Sequence, residues 1–221
     1  MNSTQNCNKE KHMKLSVEIA VVCLALIMVS CSPSVMYTTE MPEIKATGKN
    51  AILMLVRPEP QQGSVYNAEK TGFIYLDGAY EAATTVNTSL MMTVDVGTHY
   101  LMSKIDNVSI VKVSFMPGKT YFCVQTTSPV PISAPTQGFG SPSGGLTRVD
   151  NTLELITPDQ FDALVKNAKG KIRYVSAQND AKKSASKRMG DREKLEYIKN
   201  YEYWATCNPD RAKKQYEYLG Y

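Results

Sequence analysis

Cys31 is the residue whose surroundings select one chemistry. It closes Met28-Val29-Ser30-Cys31, an aliphatic residue, small residues and then a thiol, at the end of a twelve-residue, mostly apolar run from Ile19 to Ser30. Lys9, Lys11 and Lys14 precede that run. A basic patch, a short apolar run and small residues form the signal-peptide pattern, and the run falls short of the roughly twenty residues a spanning helix needs. A cysteine at this position resembles the lipobox of bacterial lipoproteins, with Met28 in place of the usual leucine. The expected chemistry is acylation of Cys31, including a palmitate-type chain. Each buried methylene contributes about 0.8 kcal/mol, so one chain holds weakly and several hold firmly. Ser32 follows in place of Asp, which by resemblance to enterobacterial sorting points to the outer membrane, facing the periplasm. Met13 is an alternative start to Met1, since Met13-Lys14-Leu15-Ser16 opens like many lipoprotein signals and the twelve residues before it have no role in this reading.

Other residues that could do chemistry are sparse. Of two histidines, only His99 remains after the signal. It could act as a base with a nearby carboxylate such as Asp95, but no Gly-x-Ser-x-Gly elbow supports a nucleophile. No metal is expected, because one histidine and two distant cysteines form no ligand cluster and no compact acidic loop is present. No cofactor is expected either: Gly138–Gly145 has glycines but no phosphate-loop lysine. Cys123 and Cys207 remain of the five cysteines. They could pair in an oxidising periplasm, but Cys123 lies in an apolar strand pattern where a free thiol acts as a small hydrophobe. The tail carries Tyr201, Tyr203, Trp204, Tyr216 and Tyr218 among lysine pairs, a candidate surface for a protein or glycan partner. After export nucleic acid is not an available partner. The alternative is that these rings pack on their neighbours.

The elements that would position these residues follow from periodicity. Residues 1–30 read as a signal peptide and 31–48, rich in Ser, Pro and Thr, as a tether. Residues 49–156 read as a β-sandwich domain with a flexible loop at 127–145. Asn50–Arg57 is a continuous apolar run stopped by Pro58, Asp77-Gly78 is a hairpin turn, and Val111–Phe115 alternates as a half-buried strand does. Short strands at even spacing predict a mainly β fold, an antiparallel sandwich of immunoglobulin-like or transthyretin-like size. Residues 157–221 read as a helical C-terminal extension. Thr157-Pro158-Asp159-Gln160 opens one helix with Gly170 beyond its end. Ser176–Asn200 has helical composition with a weak apolar face, and Asn208-Pro209 begins a last short helix.

Residues 50–125 resemble the uncharacterised bacterial lipoproteins grouped as domain of unknown function 2846. The residues that carry the resemblance are Leu55-Val56-Arg57-Pro58, Phe73–Gly78, Val96-Gly97-Thr98-His99-Tyr100 and Pro117–Phe122, with Val96 where that pattern has proline. The resemblance implies a β-sandwich and an envelope location, and no catalytic residues. The primary expectation is a lipid-anchored, non-enzymatic envelope protein that presents its sandwich and tail to a protein or glycan partner. Two alternatives stand beside it: a hydrolase or transferase of envelope polymers using His99, and a membrane-proximal module that binds anionic lipid.

Overall fold

Two sheets face each other across an apolar layer. A computed structural model of the protein describes residues 37–60, 70–131, 147–168, 170–176 and 189–221. Cys31, the run before it and most of the expected 127–145 loop lie outside the described residues. In chain order the elements are β1 Asn50–Arg57, β2 Gly72–Leu76, β3 Ala79–Thr84, β4 Thr88–Asp95, β5 Gly97–Lys104, β6 Val108–Phe115, β7 Thr120–Pro131, β8 Thr147–Ile156, α1 Pro158–Asn167, β9 Arg173–Ser176, α2 Asp191–Cys207 and α3 Pro209–Tyr216. One sheet has the order β8-β7-β1-β4-β9 and the other β3-β2-β5-β6. The expected sandwich with a helical extension is therefore present. The larger sheet is mixed, because β1 pairs parallel with β7 and β4 parallel with β9.

The continuous apolar run of β1 has a simple cause: both faces of its sheet are covered. Ala51, Leu53 and Leu55 point into the central layer with Ile74, Leu90, Leu101 and Val111. Ile52, Met54 and Val56 point the other way and meet Phe161, Leu164 and Val165 of α1. β6 alternates instead, with Val111, Val113 and Phe115 buried between the sheets. On the outside of the smaller sheet, Tyr197 and Ile198 of α2 pack with Tyr75, Tyr80 and Met102.

Asp77 (φ 50°) and Gly78 (φ 82°) make the β2–β3 turn as the Asp-Gly pair predicts. α1 begins with a complete capping box between Thr157 and Gln160. The Cys123 thiol is fully buried and pushed up to about 12 by burial, and Cys207 is exposed; both are free.

Three boundaries read from the sequence are corrected. The tether does not reach residue 48 as loose chain. Tyr37 packs on the central cluster, Thr38 bridges Tyr174, and Ile44 and Ala46 lie against the outer apolar cluster. From Met41 to Thr47 exposed and half-buried residues alternate, so the polar composition of the segment conceals an inward-facing row. Residues 127–131 of the expected loop belong to β7, paired with β8 as far as Pro131↔Thr147. The helical extension is interrupted by β9, which joins the sheet beside β4, and among the described residues its next helix spans Asp191–Cys207. Ala181 and Ala185 of the expected helical face lie outside the described residues.

Candidate functional site

His99 sits near the start of β5. Its Nδ1 is 2.6 Å from Asp77 Oδ2, and Asp77 Oδ1 accepts the Tyr100 N–H at 2.9 Å. The carboxylate beside it is thus Asp77, not Asp95, because the β2–β5 pairing brings the Asp77 turn to this strand. Nε2 is buried with no hydrogen-bond partner among the described residues, and the ring stands 5.8 Å from that of Phe115. The arrangement clamps the β2–β3 turn to β5. Among the described residues there is no group of three metal-ligating side chains.

The five tail aromatics do not form one surface. Tyr201 is buried, with its ring 6.2 Å from Tyr100 and 5.6 Å from Trp204. Tyr218 packs on Tyr121, and its hydroxyl donates to the Ile156 carbonyl. Trp204 is half-buried. Tyr203, two residues on from Tyr201 and so on nearly the opposite helix face, is 73% exposed. Tyr216 is 39% exposed, with Lys112 Nζ 5.4 Å from its ring centre. Glu202 holds the junction: it accepts from Tyr100 Oη at 2.5 Å and from Lys112 Nζ at 2.9 Å, which lowers its pKa from the ordinary carboxylate range. The same bond, with burial as the larger cause, raises Tyr100.

A polar layer caps the apolar core at the end of the sandwich where β1 finishes. Arg57 is completely buried, and burial lowers its guanidinium to about 10. Its Nη1 donates to the carbonyls of Lys70 (2.9 Å) and Thr84 (3.0 Å). Thr84 Oγ1 donates to Gln125 Oε1 at 2.7 Å, and Gln125 Nε2 donates to Ser103 Oγ at 2.6 Å. This chain of bonds crosses from one sheet to the other. A Cβ on Gly72 would lie 2.7 Å from Gln125 Nε2 and 2.9 Å from Thr84 Oγ1, so the layer requires glycine there. None of these residues was a sequence candidate. The only local signal was an arginine at the end of an apolar strand.

Beside this layer lies a groove of about 610 Å³. It is bordered by Pro58–Pro60 where β1 leaves the sheet, Asn87 in the β3–β4 turn, Thr126–Pro129 of β7 and the end of α1. Asn87 (φ 58°) donates its N–H to the Arg57 carbonyl and accepts from the Arg173 N–H, while its side-chain Oδ1 is buried with no partner among the described residues. Glu59 and Lys171 lie 3.8 Å apart at the rim. Sequence reading missed this groove, since its walls come from four separate segments. Comparison of the chain with family models, with curated proteins and with solved structures returns no match.

Proposed function

We propose that the protein is a lipid-anchored envelope protein of non-enzymatic type, held at the outer membrane through Cys31, whose folded domain binds a protein or glycan partner. The carrying observation is the N-terminal order of basic patch, short apolar run and Met28-Val29-Ser30-Cys31. The compact course of residues 37–48 agrees with it. Only residues 32–36 separate Cys31 from Tyr37, a contour of at most about 20 Å. The sandwich also supports the reading. Its two outer faces carry helices, and the open concavity at one end has hydrogen-bonding groups to spare, as a recognition site requires. The resemblance to the lipoproteins of domain of unknown function 2846 points the same way.

The test is intact-mass and peptide mass spectrometry of protein purified from envelopes, with Cys31→Ala alongside. The expected result is a chain beginning at Cys31 with the added mass of a diacylglyceryl group and an acyl chain. The variant should lack that mass and stay unprocessed or leave the membrane fraction. An unmodified thiol at Cys31 in the envelope form would refute the anchor.

A further inference from the structure

We infer that the groove at the end of β1 is a binding site for a neutral, hydroxyl-rich saccharide. This rests on the partner-binding reading above and narrows its partner to glycan. The argument starts from strand register. β1 pairs with β7 only as far as Val56↔Val124 and then turns away at Pro58, whereas β7 and β8 stay paired to Pro131↔Thr147. Among the described residues, a notch is left in the sheet beside the far end of β7.

The groups facing that notch can be deduced. Val149 and Asn151 of β8 turn their N–H groups away from β7, to Asp106 Oδ2 (2.8 Å) and Asn107 Oδ1 (2.7 Å). They stand opposite Pro129 and Thr127. In an antiparallel ladder both members of such a pair point their backbone groups outward. Pro129 and Thr127 therefore direct theirs away from β8, into the notch. A free strand edge would ordinarily recruit another strand. Here Pro129 has no N–H, and neither has Pro131 at the next position of the same phase, so Thr127 alone of the three offers a backbone donor and a peptide strand would find an incomplete partner.

What remains is a neutral lining of mixed polarity, in which the Asn87 and Asn167 amides and the buried Thr127 hydroxyl can donate as well as accept. The carbonyls of Thr127 and Pro129, the partnerless Oδ1 of Asn87 and the Glu59 carboxylate border the groove, and Pro58 and Pro60 again contribute no N–H. A matching ligand has groups that both donate and accept, as hydroxyls do, and little charge, because Lys171 beside Glu59 offsets the carboxylate. The prolines and Leu164 supply apolar wall for the C–H faces of sugar rings. The volume lies within the range of small-molecule sites, which runs from about 300 to 1,000 Å³.

The experiment is titration of the full-length protein, in a detergent without sugar head groups, with maltotriose, tri-N-acetylchitotriose and spermidine, read by calorimetry and ligand-observed NMR. Asn87→Gly suits the positive φ and removes the whole side-chain amide, acceptor and donor together; Glu59→Gln removes the charge. The inference expects saturable binding of at least one trisaccharide, weakened about five-fold or more by Asn87→Gly and little changed by Glu59→Gln. It is overturned by no saturable binding at millimolar sugar, by binding indifferent to Asn87→Gly, or by spermidine alone binding and being lost in Glu59→Gln. A variant with an altered urea midpoint is replaced by Asn87→Asp, which keeps the turn and the Oδ1 acceptor and should bind the sugar within about two-fold of the unaltered protein; loss of binding in Asn87→Asp would overturn the acceptor role given to this side chain. The titration needs no anchor, so its failure leaves the Cys31 result standing. Binding with cleavage of the sugar supports the groove and refutes only the non-enzymatic reading.

Discussion

At Gly72 a single hydrogen in place of a methyl keeps the polar layer intact. Burying Arg57, Gln125 and Thr84 is tolerable only because each has hydrogen bonds, and the cost of losing one in the interior is about 1–3 kcal/mol. Gly72→Ala would press a Cβ against Gln125 and Thr84 and break the chain of bonds to Ser103. We expect the urea midpoint to fall by the equivalent of about 1–3 kcal/mol with the slope unchanged; an unmoved midpoint would show that the layer yields without loss. His99 illustrates the limits of reading single residues. Its type and the nearby Asp95 suggested a base and a carboxylate, whereas its actual partner, Asp77, is set by which strand lies beside it. The Asp-Gly turn that holds Asp77 was legible, because turn chemistry is contained in two adjacent residues.

Among the elements, α2 shows how a helix with a weak apolar face is held. Tyr197, Ile198 and Tyr201 cover the outside of the smaller sheet, and two ion pairs, Glu193–Lys104 and Glu202–Lys112, fasten it. These charges are partly exposed, so each pair contributes modestly. The pH dependence has a definite sign. Glu202 is held below its ordinary value of 4.5, by Tyr100 first and Lys112 second. Its contribution is complete above that value and is lost as pH falls through the lower value of the folded state. Trp204, the one tryptophan, sits beside Tyr201 and reports the docking. Its emission should shift to the red on acidification below about 4.5, at a pH where far-ultraviolet circular dichroism still shows a folded sheet, and should not titrate there in Glu202→Gln. Identical titrations in both proteins would remove Glu202 from the docking. The capping box of α1 was fully legible from four consecutive residues. β9 was not, because four residues between a helix and a polar stretch carry little period, and it is a strand through its pairing with β4.

For the molecule as a whole, the sandwich must close between β6 and β8, where no backbone ladder joins them. Side chains do it instead. Asp106, Asn107 and Ser109 accept the outward N–H groups of Val149, Asn151 and Leu153. These contacts satisfy an edge that would otherwise be a template for association. Asn107→Ala removes the acceptor for Asn151 N–H and also the Asn151 side-chain bond at 2.9 Å. Hydrogen exchange at Asn151 should accelerate, and concentrated protein should associate through the freed edge, seen as concentration-dependent light scattering. Unchanged protection at Asn151 would mean that closure depends on the buried apolar contacts alone.

Read without structure, the chain declared what neighbouring residues can settle: strands and their turns, the start of α1 and a mainly β class. Those signals live within a few residues, where steric preference and hydrophobic period act. Tertiary structure decided what depends on distant partners. It made β1 parallel to β7, turned the supposed tether into a packed segment, divided the tail aromatics between core and surface, joined Arg57 to Thr84 and Gln125, and left the notch beside Pro129. Each of these follows from which faces are covered, and covering is set by contacts between segments tens of residues apart.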